Sequence, residues 1–208
     1  QDPRSRTRKG FVLSVAATQG KTLFDGLDLT VKYFFDAIDA DYAGSLTYRG
    51  IENRGDLEKH PGVHKDIEAA VDKILTPFMG RKRILFASRK NACVSQMAGA
   101  FAGHLAGDRI EALSGGSEPA GKCHPLVADV MAEEGVDMAF LGPNSLTSAL
   151  AGSQPHLVVR FGDGADLAGV SGVEVETWQL SNASCDTIED MRRLRDELKA
   201  RVMKLLDR

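Results

Sequence analysis

The chain reads as an α/β protein in two parts: a short βαβα unit, then a compact domain of four parallel strands alternating with helices. Three observations carry this reading. Short apolar runs such as residues 11–16 and 84–87 recur, the length of buried parallel strands. Between them lie longer segments with apolar residues at three- and four-residue spacing, the pattern of helices with one buried face. Residues 76–82, punctuated by Pro77 and Gly80, then divide the chain into 1–80 and 81–208.

Residues 1–10 form a basic, solvated arm containing Arg4, Arg6, Arg8 and Lys9. Residues 11–16 are a strand and 17–21 a loop. Residues 22–40 are a helix, with Leu23, Leu27, Val31, Phe34, Phe35 and Ile38 as its stripe. A second strand spans 42–51. A helix follows over 63–79, with Ile67, Ala70, Val71 and Ile74 on one face. The second part proceeds as strand 84–87, helix 95–105, strand 110–113 and a Gly/Pro-rich turn over 114–121. It continues with helix 125–134, a loop around Pro143 and Leu146, and strands 157–161 and 173–178. A final helix, 187–206, carries Ile188, Met191, Leu194, Leu198, Val202 and Leu205, with Asp186 as its cap.

With 43% hydrophobic and 26% charged residues, the composition is that of a soluble globular protein. A net charge of −3 gives no reason to expect nucleic acid, and no apolar run approaches a membrane span. Cys93, Cys123 and Cys185 are scattered, without CxxC spacing or a nameable partner, so they read as reduced cytoplasmic thiols. No His/Cys/Asp cluster has metal-ligand spacing.

The chemistry concentrates in residues 83–101, RILFASRKNACVSQMAGAF. A strand feeds a polar turn, residues 88–95, into a helix N-terminus. The unpaired N–H groups and macrodipole there favour an anion, and Arg89 and Lys90 add positive charge. Ser88, Arg89, Lys90, Asn91, Ala92, Cys93, Val94 and Ser95 are therefore the candidate cradle for a phosphate-like oxyanion. The helix start near Cys93 is also a setting that lowers a thiol pKa, making Cys93 a candidate redox thiol, although a space-filling role fits the same position.

This stretch resembles the phosphate loop of the low-molecular-weight protein tyrosine phosphatases and, more closely, of the arsenate reductases that share their fold. Asn91, Cys93, Ser95, Gln96, Met97 and Ala98 stand as in the reductase pattern. So do Gly116-Ser117-Glu118-Pro119-Ala120-Gly121, His124-Pro125, residues 131–137 and residues 192–197. The resemblance implies that residues 81–208 adopt that phosphatase fold. It also implies four losses: Ser88 stands for the nucleophilic Cys, Val94 for the oxyanion-binding Arg, Asn182 for the acidic Asp, and Phe161 for a relay Cys. A hydroxyl is not ionised as a thiol is, and an amide is no proton donor at neutral pH. The expectation is a non-catalytic module that binds an oxyanion or a partner, with residual arsenate reductase or phosphatase activity as an alternative.

In the first part, the Lys9-Gly10 lead-in, Thr18-Gln19-Gly20, Tyr33-Phe34-Phe35 and Tyr42-Ala43-Gly44-Ser45-Leu46 resemble the C-terminal half of flavodoxin-like NAD(P)H-dependent FMN reductases. That resemblance implies a partial flavodoxin-like unit, with Ala17, Thr18, Gln19, Gly20 and Lys21 near the flavin ring. FMN would bind only once the N-terminal half is supplied. The chain would then be part of an FMN-dependent oxidoreductase, and self-association is expected. A plain βα turn is the competing reading of residues 17–21.

Overall fold

The computed structural model describes residues 9–38, 40–151, 154–181 and 185–208. The basic arm's Arg4, Arg6 and Arg8 lie outside them. Two compact units meet after Gly80.

The first unit pairs strands β1 (Lys9–Ala16) and β2 (Asp41–Arg49) in parallel, joined by helix α1 (Asp25–Ala37). The short helix α2 (Asp56–Lys59) and helix α3 (Val63–Leu75) follow, and a 3-10 turn (Thr76–Phe78) replaces the last part of the single helix expected over 63–79. Pro77 cannot supply the N–H that a continuing α-helix needs, so the chain tightens there. Helix α1 is shorter at both ends than the stripe predicts. Phe35 lies directly against Gly10, and its ring stands 6.3 Å from that of Tyr42. Phe34 and Ile38 of the same stripe are exposed, as are Ile67 and Val71 of α3. Two strands are too narrow to cover both helices.

The second unit is a four-stranded parallel sheet in the order β4-β3-β5-β6. Its strands are β3 (Lys82–Ser88), β4 (Ile110–Gly116), β5 (Leu157–Phe161) and β6 (Glu174–Trp178). Helix α4 (Val94–Ala106) connects β3 to β4. Helices α5 (Pro125–Ala132) and α6 (Leu146–Leu150) precede β5, and α7 (Ile188–Leu206) follows β6. Strand β4 runs three residues beyond the expected 110–113, through residues expected in a turn, because Ser114, Gly115 and Gly116 pair with Phe86, Ala87 and Ser88. The cap of α7 is Thr187, whose hydroxyl accepts from the Asp190 N–H, rather than Asp186.

Alternation along β3 builds two cores. Ile84 and Phe86 join Met97, Phe101, Val130, Met131, Leu194 and Leu198 on the face covered by α4, α5 and α7. Leu85 and Ala87 face the other way, onto Leu146 and Leu150 of α6. Helix α6 has only five residues, too few for a visible period, and sits where the sequence reads as loop.

Buried Arg195 ties α7 to α5. Its Nη1 donates to the Val130 carbonyl at 2.9 Å and to Glu133 at 2.7 Å, and Arg192 holds the same carboxylate at 2.6 Å. Hydrogen bonds first from Arg192 and then from Arg195 bring the Glu133 carboxyl from 4.5 to about 2. A depressed carboxyl pKa stabilises the fold at pH above its unfolded value, and that contribution disappears as pH falls through the folded one. The thermal midpoint of Glu133→Gln should lie below that of the wild type at pH 6. The two should converge as pH is lowered from about 4.5 towards 2.

Candidate functional site

The chain leaves β3 for α4 on one side of the sheet order, while β5 lies on the other side of β3. Ligands of open α/β sheets collect at such a reversal, outside the carboxyl ends of the strands. The loop of residues 88–95 starts there.

Asn91 organises the loop. Its backbone N–H donates to Ser88 Oγ at 3.1 Å and its Nδ2 donates to Ser95 Oγ at 2.9 Å. Its Oδ1 accepts from Gln96 Nε2 and from the Asn144 N–H, both at 2.8 Å. Gln96 Nε2 also reaches the Gly142 carbonyl at 2.6 Å. Asn91 has φ +47°, a left-handed conformation that asparagine tolerates better than most residues. Asn91, Ser95 and Gln96 are fully buried.

The 116–124 segment holds the loop from behind. The carbonyls of Arg89, Lys90 and Ala92 accept from the N–H groups of Glu118, Ala120 and His124 at 2.8–2.9 Å. In a trans peptide the N–H points opposite its carbonyl. Pulling these carbonyls one way therefore turns the N–H groups of Lys90, Asn91 and Cys93 the other way, to the side where Ser88 Oγ receives the Asn91 N–H. Gly116 is required for this closeness: a Cβ there would stand 2.8 Å from the Arg89 carbonyl oxygen and 3.1 Å from Asn91 N.

Ser88, at the end of β3, has its Oγ 2.6 Å from Ser95 Oγ. Each hydroxyl already accepts from Asn91, and only one proton can lie between the two oxygens. The second hydroxyl proton is left for another acceptor. Among the described residues, no carboxylate or imidazole touches Ser88; His124 Nδ1 instead accepts from the Leu126 N–H at the start of α5.

The remaining candidates disperse. Arg89 is exposed and pairs with Glu118 at 2.9 Å instead of turning inward. Val94 begins α4 and packs on the larger core. Phe161 is buried, edge-on to Trp178 at 5.7 Å. Asn182 lies outside the described residues. Cys93 contradicts the expected lowering of its pKa: burial, and then the neighbouring Cys185 thiol, push it up. Its sulfur packs on the larger core rather than facing solvent. Cys185, for which the sequence suggested no partner, has its Sγ 3.6 Å from that of Cys93. Gly116 and Asn144, which complete the loop, carry no role legible from the sequence, since one contributes space and the other a backbone N–H. In the first unit, Gln19 lies against Gly50 and the Lys21 carbonyl accepts from Arg49 at 2.8 Å, so residues 17–21 close on the end of β2.

Among the described residues no group of His, Cys, Asp and Glu is placed to hold a metal ion, and no helix is long and apolar enough to cross a membrane.

Residues 83–164 match the family model described as low molecular weight phosphotyrosine protein phosphatase. A "Putative arsenate reductase" of Halobacterium salinarum is 32% identical over 127 residues, covering 59% of this chain and 89% of that protein. The solved structure of an arsenate reductase in the phosphate binding state superposes with a TM-score of 0.54 at 29% identity, over 61% of this chain and 97% of that one. A thioredoxin-dependent arsenate reductase of Corynebacterium glutamicum shares the fold at a TM-score of 0.51 and 20% identity, over 90% of this chain and 96% of that one.

Asn91→Ala should cost about 3 kcal/mol in denaturant unfolding, because the Asn144 N–H loses its acceptor and alanine must hold a left-handed φ. Asn91→Gly removes the second penalty and should cost measurably less. Gly116→Ala should destabilise by about 1–3 kcal/mol, since the clash is with backbone that cannot rotate away.

Proposed function

Because this chain belongs, through its second unit, to the low-molecular-weight phosphotyrosine protein phosphatase and arsenate reductase family, we propose that residues 81–208 are a non-catalytic module that binds a phosphate-like oxyanion in the loop of residues 88–95. The observation that carries this reading is the inward turn of the Lys90, Asn91 and Cys93 N–H groups around the Ser88–Ser95 hydroxyl pair. Amides and one spare hydroxyl proton suit a tetrahedral anion. The phosphate-bound state of a 29% identical arsenate reductase supports the same class of ligand.

Turnover needs more than the cradle. The hydroxyl of Ser88 lies against Ser95 and Asn91 and, among the described residues, hydrogen-bonds to no carboxylate or imidazole that could take its proton, so it is a poor nucleophile. Val94 supplies no guanidinium fork to hold equatorial oxygens as charge develops. Asn182 in the acid's position has no proton to give a leaving group. The module keeps the means to hold an oxyanion and lacks the means to cleave one or reduce it.

Thermal unfolding in phosphate or arsenate should show a saturable rise in midpoint with millimolar or tighter affinity, while arsenate reduction and aryl phosphate hydrolysis stay at background. A Val94→Arg variant should bind at least about tenfold more tightly, because it regains a charge-assisted contact. A flat response to both anions removes the oxyanion reading and leaves partner binding at the same loop. Ser88-dependent turnover removes the non-catalytic one.

A second reading concerns the first unit, as part of an FMN-dependent NAD(P)H oxidoreductase. The parallel pairing of β1 and β2 and the exposed Leu13, Val15, Tyr33 and Phe34 favour a sheet that continues through further strands, from another chain or a second copy. Flavin fluorescence titration of this chain alone should show no binding, and stoichiometric FMN should appear only with those strands present.

A further inference from the structure

The thiols of Cys93 and Cys185 play no part in the proposed oxyanion binding, which uses only the Cys93 backbone N–H, yet the fold brings them together across 92 positions of sequence. Cys93 is the N-cap residue of α4, and its carbonyl accepts the Met97 N–H at 3.0 Å, so it joins the oxyanion loop to its helix. Cys185 stands two residues before Thr187, the N-cap of α7. Both pack on the larger core, and the Cys93 sulfur is also 3.7 Å from Met191 Sδ. The two sulfurs are 3.6 Å apart, so a bond requires them to approach by about 1.5 Å, within reach of side-chain rotation.

We propose that Cys93 and Cys185 are a reversible disulfide site, oxidised by peroxide, that fastens the oxyanion loop to the segment leading into α7. In the first step one thiolate attacks a peroxide oxygen. The O–O bond breaks and the departing hydroxide takes up a proton as water, leaving a sulfenic acid. In the second step the other sulfur attacks the sulfenic sulfur as a thiolate, the S–S bond forms, and hydroxide leaves and is protonated to water. Two thiols lose two protons and two electrons, and one peroxide becomes two waters. A thiol reductant reverses the exchange. Burial raises the Cys93 thiol, so the bond forms slowly near neutral pH and faster as pH rises. Closing so long a loop restricts the unfolded chain, and the oxidised form is the more stable one.

The test uses the full chain treated with hydrogen peroxide. The intact mass should fall by two hydrogens, and iodoacetamide should then label Cys123 alone. A peptide linking Cys93 to Cys185 should appear without reductant, and the thermal midpoint should rise by several degrees. Dithiothreitol should restore the starting mass and midpoint. Cys185→Ser and Cys93→Ser should each abolish the mass loss, and Cys123→Ser should retain it. If Cys93→Ser fails to fold, Cys185→Ser carries the test. Three thiols still open to alkylation after peroxide, oxygen added to Cys93 without loss of hydrogens, or a mass loss that requires Cys123 would each overturn the proposal. None of these readouts depends on anion binding, so they stand apart from the oxyanion reading.

Discussion

Asn91 is the constraint on which the site rests. One buried asparagine satisfies two hydroxyls, through its backbone N–H and its side-chain Nδ2, and draws Gln96 and the Asn144 backbone onto its oxygen. An aspartate would offer no Nδ2 donor to Ser95, and most other side chains would resist the left-handed backbone. The carbonyls of Arg89, Lys90 and Ala92 are drawn back by the 118–124 segment, and Gly116 leaves room for that approach. The loop is thus held by the fold itself, which meets the cost of ordering it.

The surrounding unit fixes the strand from which the loop springs. The two faces of β3 are closed independently, one by α4, α5 and α7 and the other by α6. The Arg195–Glu133–Arg192 cluster anchors α7 to α5 far from residues 88–95 in sequence. Val94 itself packs on the larger core, whereas Ser88 hydrogen-bonds within the loop. The scaffold's stability lies in buried apolar contacts and backbone pairing on both sides of β3.

The strands and the long helices of the second unit were legible because each carries a clear period. Strand 157–161 and helix α7 match their expected bounds to within a residue. The signals that failed were short or non-local. Helix α6 has five residues, and the extension of β4 depends on Phe86, Ala87 and Ser88 being beside it. In the first unit the amphipathic stripes of α1 and α3 correctly marked helices but overstated burial, since a stripe reports what a face could cover and not whether a partner is wide enough. Within the site, Ser88, Asn91 and Ser95 were named from pattern. That Arg89 turns outward to Glu118 was decided by a carboxylate 29 residues away.

The amino-acid sequence by itself determined the alternation of strands and helices, the break after Gly80, and the polar turn of residues 88–95 between a strand and a helix, with serine at 88 and valine at 94. These follow from residue identity and local spacing. Only the tertiary structure decided the strand order that puts this loop at a reversal of the sheet, the network centred on Asn91, and the meeting of Cys93 with Cys185. Each of these joins residues distant in the chain, and burial, hydrogen bonding and thiol reactivity depend on which groups share a space rather than on which are neighbours in sequence.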